Sequence, residues 1–489
     1  MAARLRTIFG NAAIYSAGTL LVQLASFLLL PLYTRVLGPK DYGILSLLWV
    51  IQTTLVLFGE LALTSAVFRF YHDQQDMVAK DKYLSSSFWI MTVVGALLFV
   101  LTTFAAPFVT PLLFDFDEAS ILLRLAAATA WLTPISTLLL RTLQLWQRPY
   151  VYVLMSILQF VVTMIVTIML VLFFKRGVIG VLIGQLAGVG VIACSCILIL
   201  GTRLRYGIDP SLAKLLLRFS IPLVPTGFAA LVISLSDRFF LEHYSTLHQL
   251  GLYAVADKMT AALSVLVVTP LLLSWNQYAF SNHRSPEFAV VFRCTLRLIT
   301  VVLAFGILGY SLIIRELLTI ATTPEFGAAW TMVPILCAAP VGHALITLFA
   351  TGIHLSQQTR WIPLLYGSGM VSNLILNAAL VPKYGMAGAA WATLVSSLAT
   401  AGSFYLCARR VYVLDYPIRQ MVITLVLAAG CTTLFVLFTQ IMASCWLEWV
   451  IRILLVMSFG LLLWLFGIIE PNDIPMLTRL WNRLRRHFP

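Results

Sequence analysis

Four ionisable side chains stand well inside apolar runs of this 489-residue chain: Glu60, Arg124, Asp257 and Lys258. Burying a charge in hydrocarbon costs about 2.5–3.5 kcal/mol on insertion scales, so each needs a partner or a purpose. Arg35, Arg69, Arg141, Asp237 and Arg238 lie nearer the ends of such runs, where long side chains reach out to the headgroups. Brought together, Arg124 and Lys258 would form a cationic site suited to a phosphate or diphosphate, which a guanidinium grips through two parallel hydrogen bonds. Arg35, Arg141 and Arg238 extend this candidate binding set, and Glu60, Asp237 and Asp257 are the candidate coupling or structural acids. Asp257 and Lys258 project about 100° apart on a helix, so one is expected to face a cavity and the other a neighbouring helix. Arg238 either neutralises Asp237 or points into the cavity.

Nothing else in the sequence has the spacing of a catalytic or metal centre. The seven histidines are dispersed, and neither a zinc-type cluster, a Gly-x-Ser-x-Gly elbow nor a phosphate-cradling loop occurs. His343 is the only one deep in an apolar run and reads as a packing histidine ahead of a proton relay. The seven cysteines lack a C-x-x-C pair and read as small hydrophobes. No enzyme, metal or cofactor is expected.

The elements that must position the charges are membrane spans. Hydrophobic residues make up 61% of the chain and charged ones 10%, against about 25% charged in soluble proteins. Fourteen runs reach spanning length: 13–36, 42–69, 84–108, 119–142, 150–174, 177–200, 217–240, 250–276, 292–314, 329–352, 361–381, 385–407, 419–442 and 447–469. The second is long enough to project past the bilayer. An all-α multi-pass membrane protein follows, with no removable leader read ahead of the first span. Of the 32 Lys and Arg, 22 fall on the side of the two termini and eight opposite, with Arg124 and Lys258 inside spans. Both termini are therefore expected in the cytoplasm. The acidic loop with Asp115, Asp117 and Glu118 falls on the outer side. Orientation also accounts for the net charge of +13, so nucleic acid is not an expected partner. In the tail, 471–489, Leu477, Leu480, Trp481 and Leu484 alternate with arginines, as in a helix lying on the cytoplasmic leaflet.

The chain repeats itself. Lys175-Arg-Gly177-Val-Ile-Gly180 returns as Lys383-Tyr-Gly385-Met-Ala-Gly388, 208 residues later. The elbow around Gly38-Pro39, ending at Gly43, has its echo at Gly251 with the same offset, and Gln147 pairs with Gln357 at an offset of 210. Pro134 in span four likewise has Pro334 and Pro340 in span ten. Six spans separate equivalent positions, so the repeats run parallel, related by an axis along the membrane normal. Two six-span lobes, 1–202 and 203–410, are expected, followed by two extra spans in 411–470. Gly180, Gly184 and Gly188 form a small-residue ridge for close helix packing.

Pro31-Leu-Tyr-Thr-Arg35-Val-Leu-Gly38-Pro39-Lys-Asp41-Tyr42-Gly43 resembles the first-loop signature of bacterial polysaccharide flippases. These are the O-antigen (Wzx-type) branch of the multidrug/oligosaccharidyl-lipid/polysaccharide exporter superfamily. Ser236-Asp237-Arg238-Phe239-Phe240-Leu241, then Gly251-Leu-Tyr253-Ala-Val-Ala256-Asp-Lys258, resembles the counterpart in the second lobe, and Lys383-x-Gly385-x-x-Gly388-Ala-Ala-Trp391 the entry to span twelve. The resemblance implies an inner-membrane protein that moves undecaprenyl-diphosphate-linked oligosaccharide from the cytoplasmic to the periplasmic leaflet by alternating access. It also implies a polysaccharide polymerase and chain-length machinery as candidate partners. Spans thirteen and fourteen would groove the polyprenyl tail. Two alternatives stand beside it. A cation-coupled drug antiporter of the same superfamily would want more acidic groups than Glu60 and Asp257, and a glycan polymerase or ligase would want a larger outward loop.

Overall fold

The computed structural model describes residue 27 and residues 29–71, 73–74, 76–114, 118–204, 207–412, 414–441 and 445–468. The described residues contain helices and turns and no strand. The chain opens with α1 (Leu30–Val36), then α2 (Pro39–Glu60), α3 (Leu63–Tyr71), α4 (Met77–Leu113) and α5 (Ala119–Leu145). Next come α6 (Pro149–Ile168), which runs into a π-helical turn at Met169–Phe173, and α7 (Gly177–Leu200). α8 (Pro210–Ser220), α9 (Val224–Leu235), α10 (Asp237–Tyr244) and α11 (Leu247–Leu263) follow. A second π turn, Ser264–Val268, leads into α12 (Thr269–Asn282). The chain ends with α13 (Phe288–Ala321), α14 (Val333–Leu336), α15 (Ala338–Leu355), α16 (Trp361–Val411), α17 (Ile418–Ile441) and α18 (Cys445–Leu465). Phe104, Phe108 and Leu198 are 76%, 80% and 84% exposed, an arrangement favourable only where the solvent is hydrocarbon.

Among the described residues, twelve helical stretches are long and apolar enough to cross a membrane. The first expected span, 13–36, falls mostly outside the described residues, as does the whole tail 471–489. The eleventh and twelfth form α16. At about 1.5 Å per residue its 51 residues would reach some 76 Å, more than twice the hydrocarbon thickness. The chain reverses at Gly385, whose φ of 54° and ψ of −130° are open to glycine and little else. A Cβ at Gly388 would overlap the Leu380 carbonyl, and the Asn373 amide donates to Ser396 Oγ at 2.9 Å, so the two arms run side by side.

Backbone geometry carries the repeat. Gly177 and Gly385 both have positive φ, 51° and 54°. Gln147 and Gln357 do too, at 54° and 61°, each closing a helix with the same pair of bonds. The Gln147 N–H donates to Gln144 and the Arg148 N–H to Leu143; the Gln357 N–H donates to His354 and the Gln358 N–H to Ile353. Gly180 packs against Leu170 as Gly388 packs against Leu380. The ridge closes as its spacing predicts: Gly184 and Gly188 meet Thr167 and Thr163, where any side chain would collide.

Compactness divides the chain between Ala254 and Val255, inside α11, whereas the repeat divides it at 202/203. The segment after 203 is tied to the first spans. Phe228 packs on Phe58 with ring centres 5.8 Å apart, Ser85 Oγ donates to the Gly207 carbonyl at 3.2 Å, and the two elbows touch at Pro39 and Gly251. The core of this first unit joins Leu63, Val67, Met91, Leu138, Ile192 and Leu216. In the second unit, α13 packs on α17 and α18 through Ala304, Leu308, Phe435 and Phe459.

Candidate functional site

Span two is not one helix. α2 ends at Glu60, and Leu61 and Ala62 turn left-handed, with φ of 50° and 54°, before α3 begins. A left-handed non-glycine residue costs roughly 1–2 kcal/mol, so the surrounding packing has to impose this break. Glu60 is half-buried at the break and accepts a hydrogen bond from Thr64 Oγ1 across it. Adding the repeat offset to Leu61–Ala62 gives Thr269–Pro270, where the π turn Ser264–Val268 hands over to α12. The two irregularities differ in kind: Leu61–Ala62 is a left-handed break, whereas the π turn stays helical and closes with the Thr269 N–H on the Ser264 carbonyl.

Asp237 and Arg238 do not snorkel. They are 4% and 8% exposed, at the start of α10. The Asp237 carboxylate accepts from the Arg238 backbone N–H at 2.9 Å and from the Tyr253 hydroxyl on α11. Tyr253, 1% exposed, escapes a reading based on charge, since a tyrosine in an apolar run looks like packing.

The remaining candidates separate by position. Arg35 is exposed at the end of α1, next to the elbow. Arg124 is exposed on the second turn of α5, about 7.5 Å along the helix from Ala119. Arg141 lies exposed at the far end of α5, donating to Gln144 Oε1 at 3.1 Å and covering the Phe68 ring. That is the snorkelling arrangement of a span-end arginine. Asp257 and Lys258 are half-buried on α11, at the start of the second unit.

Arg452, which falls within the expected span 447–469 and belongs to the eight cations tallied on the side opposite the termini, is buried in α18 at 3% exposure. Its Nη2 donates to Glu448 at 2.6 Å and to Glu316 of α13, and its plane lies 4.5 Å from the Trp449 ring centre and 5.3 Å from that of Phe435. This cluster binds the two last helices to α13. No group of His, Cys, Asp and Glu among the described residues could hold a metal, and Cys194, Cys196, Cys294, Cys337, Cys407 and Cys431 are unbridged.

The model of the family described as "Polysaccharide biosynthesis protein" matches residues 8–275, more than half of the chain. The chain belongs to that family. Among solved structures, that titled "Lipid II flippase MurJ, inward closed conformation" aligns over 94% of this chain and 100% of its own at 16% identity, with a TM-score of 0.70. An "Inward-facing conformation of a multidrug resistance MATE family transporter of the MOP superfamily" aligns over 79% and 94% at 13% identity, with a TM-score of 0.65. A third, "Crystal structure of MATE in complex with MaL6", covers 82% and 95% at 12% identity and 0.59. No curated protein sequence matches this one. The chain is thus a member of the polysaccharide biosynthesis family with a multi-span helical fold that it shares with these structures.

Proposed function

We propose that this member of the polysaccharide biosynthesis family moves undecaprenyl-diphosphate-linked oligosaccharide repeat units from the cytoplasmic to the periplasmic leaflet of a bacterial inner membrane, with both termini in the cytoplasm. The observation that carries the reading is membership of the polysaccharide biosynthesis family together with the fold shared with the structure titled "Lipid II flippase MurJ, inward closed conformation", to which the left-handed break at Leu61–Ala62 adds a span that bends. Alternating access needs two equivalent elements that re-pack, and interrupted helices bend at lower cost than continuous ones. The lobes 1–202 and 203–410 are the proposed moving bodies, with 411–470 as the bed for the polyprenyl tail.

In this reading Arg124 and Lys258, with Arg35, Arg238 and Arg141, supply cations for the diphosphate. Glu60, Asp237 and Asp257 hold or balance charge. Too tight a grip would prevent release, so cations spread along a path suit transport better than a closed cage. The glycan is destined for a surface polysaccharide such as O-antigen, made together with a polymerase and chain-length proteins.

Deletion of the gene followed by leaflet-resolved analysis of lipid-linked glycans tests the proposal. Repeat units accumulating in the cytoplasmic leaflet are the expected result. Accumulation of single repeat units in the outer leaflet would overturn it in favour of a polymerase.

A further inference from the structure

The repeat extends into the third and ninth spans, and there its two halves differ in what covers them. Thr92-Val93-Val94 with Ala96 on α4 returns as Thr300-Val301-Val302 with Ala304 on α13, again 208 residues later. Each threonine hydroxyl donates to the carbonyl four residues back, Thr92 to Phe88 at 2.7 Å and Thr300 to Leu296 at 2.8 Å. The two helices also end at matching positions, Leu113 and Ala321. One face of α4 can therefore be set against the same face of α13, residue by residue.

On α13 that face is covered. Val301, Leu308 and Leu312 are buried in one core with Phe435 of α17 and Phe459 of α18, and the Phe305 ring meets Phe459 edge-on with centres 4.8 Å apart. The face continues to Glu316, which Arg452 of α18 holds. At the opposite end of α13, Arg293 pairs at 2.7 Å with Asp415, on the connection into α17. α13 is thus fastened to the last two spans along its whole length. On α4 the equivalent residues, Val93, Leu97, Val100, Phe104 and Phe108, are all exposed.

The bare helix is also the weaker one. Pro107 and Pro111 lie inside α4 and leave the carbonyls of Thr103 and Pro107 without their usual helical N–H. Their equivalents on α13 are Arg315 and Thr319, which keep their N–H groups, and α13 runs helical to Ala321. Long helices bend at prolines. A helix packed on two neighbours bends only by pulling close-packed side chains apart, whereas lipid re-forms around one that moves.

We propose that α17 and α18 brace the ninth span, and that the segment of α4 from Thr103 to Leu113 is an arm that bends during transport, so that the two repeats deform unequally. The proposal rests on the transport reading for its purpose. It goes beyond that reading in giving the last two spans a mechanical role besides that of a bed for the lipid tail.

Spin-label pairs in lipid nanodiscs test it, in a background with every cysteine replaced by serine. One pair joins Phe108→Cys on the arm to Leu198→Cys near the end of α7, and the other joins Ile320→Cys on α13 to Trp464→Cys near the end of α18. All four sites are exposed, and each pair lies within one unit. The 108–198 pair should show two distance populations and the 320–464 pair one. Pro107→Ala with Pro111→Ala should remove the second population and, in a deletion strain, abolish surface glycan. Two populations for the 320–464 pair, or one for the 108–198 pair, would overturn the proposal. So would surface glycan that is lost on gene deletion yet fully restored by the alanine variant. Should gene deletion leave lipid-linked glycans unchanged while both pairs behave as expected, the transport reading falls and the brace with its bending arm stands.

Discussion

Gly43 and Gly251 occupy two halves of one pseudo-symmetric contact. A Cβ on Gly43 would overlap the Leu247 carbonyl, and a Cβ on Gly251 would overlap the Pro39 carbonyl. The offset of 208 carries Pro39 onto Leu247 and Gly43 onto Gly251, so the second contact is the first one rotated. Self-complementary contacts of this form are the mark of a two-fold relation.

Because both clashes are with backbone, no rotamer change relieves them. Gly251→Ala should lower stability by about 1–3 kcal/mol, the range for overpacked sites. Gly367→Ala, where nothing lies within 4 Å of the new atom, should be neutral. Thermal unfolding of the detergent-purified variants checks both.

The reversal inside α16 rests on one glycine. Gly385→Ala should destabilise, since alanine must adopt a φ of 54° and a ψ of −130°. Gln357→Gly, at a position already left-handed with φ 61°, should leave stability unchanged or raise it by relieving the strain on a residue with a Cβ. A lower melting temperature for Gly385→Ala and an equal or higher one for Gln357→Gly are the expected outcome.

Removing a guanidinium that two carboxylates share leaves both without their counter-ion. Arg452→Ala should therefore cost about 3–5 kcal/mol, as breaking buried ion pairs does. Glu316→Gln should cost much less, since its side chain is 39% exposed and Glu448 still faces the arginine. Replacing Arg452, Glu316 and Glu448 together by apolar residues should recover much of the loss. Comparison of the three unfolding curves tests this.

For the proposed cationic path, Arg124→Ala and Lys258→Ala should each abolish surface glycan without reducing membrane insertion. Complementation of a deletion strain measures display, and immunoblotting of membranes measures insertion. Full complementation by both variants would remove these two residues from the path.

Asp209 caps α8 from outside the membrane. Its carboxylate accepts from the Ser211 hydroxyl at 2.6 Å and from the Ser211 and Leu212 N–H groups, and the Ser211 bond foremost holds its pKa below the ordinary value of 3.8. A lowered folded-state pKa means that the charged cap stabilises above the unfolded value and that this contribution is lost as pH falls through the folded one. Asp209→Asn should thus be less stable than wild type at neutral pH, with the difference vanishing as the medium is acidified below the carboxylate range. Melting curves from pH 7 down to about 3 follow it.

Sequence alone determined the membrane class, the spans and the duplication. Hydrocarbon demands long apolar runs, and the turn at φ 54° and ψ −130° demands glycine at Gly385, so both leave a written trace. The tertiary structure decided the rest. Leu61 and Ala62 are ordinary helix formers, and only packing forces their break beside Glu60. Arg452 reads as a charge near the outer end of a span until Glu316, more than a hundred residues away, reaches it. Asp237 finds Tyr253 on the next helix, and the elbow finds the Lys175–Gly177 turn across a cavity. Periodicity and turn chemistry are local and can be read along the chain. The partner of a charge is fixed by which helices come to lie side by side, and that is a property of the fold.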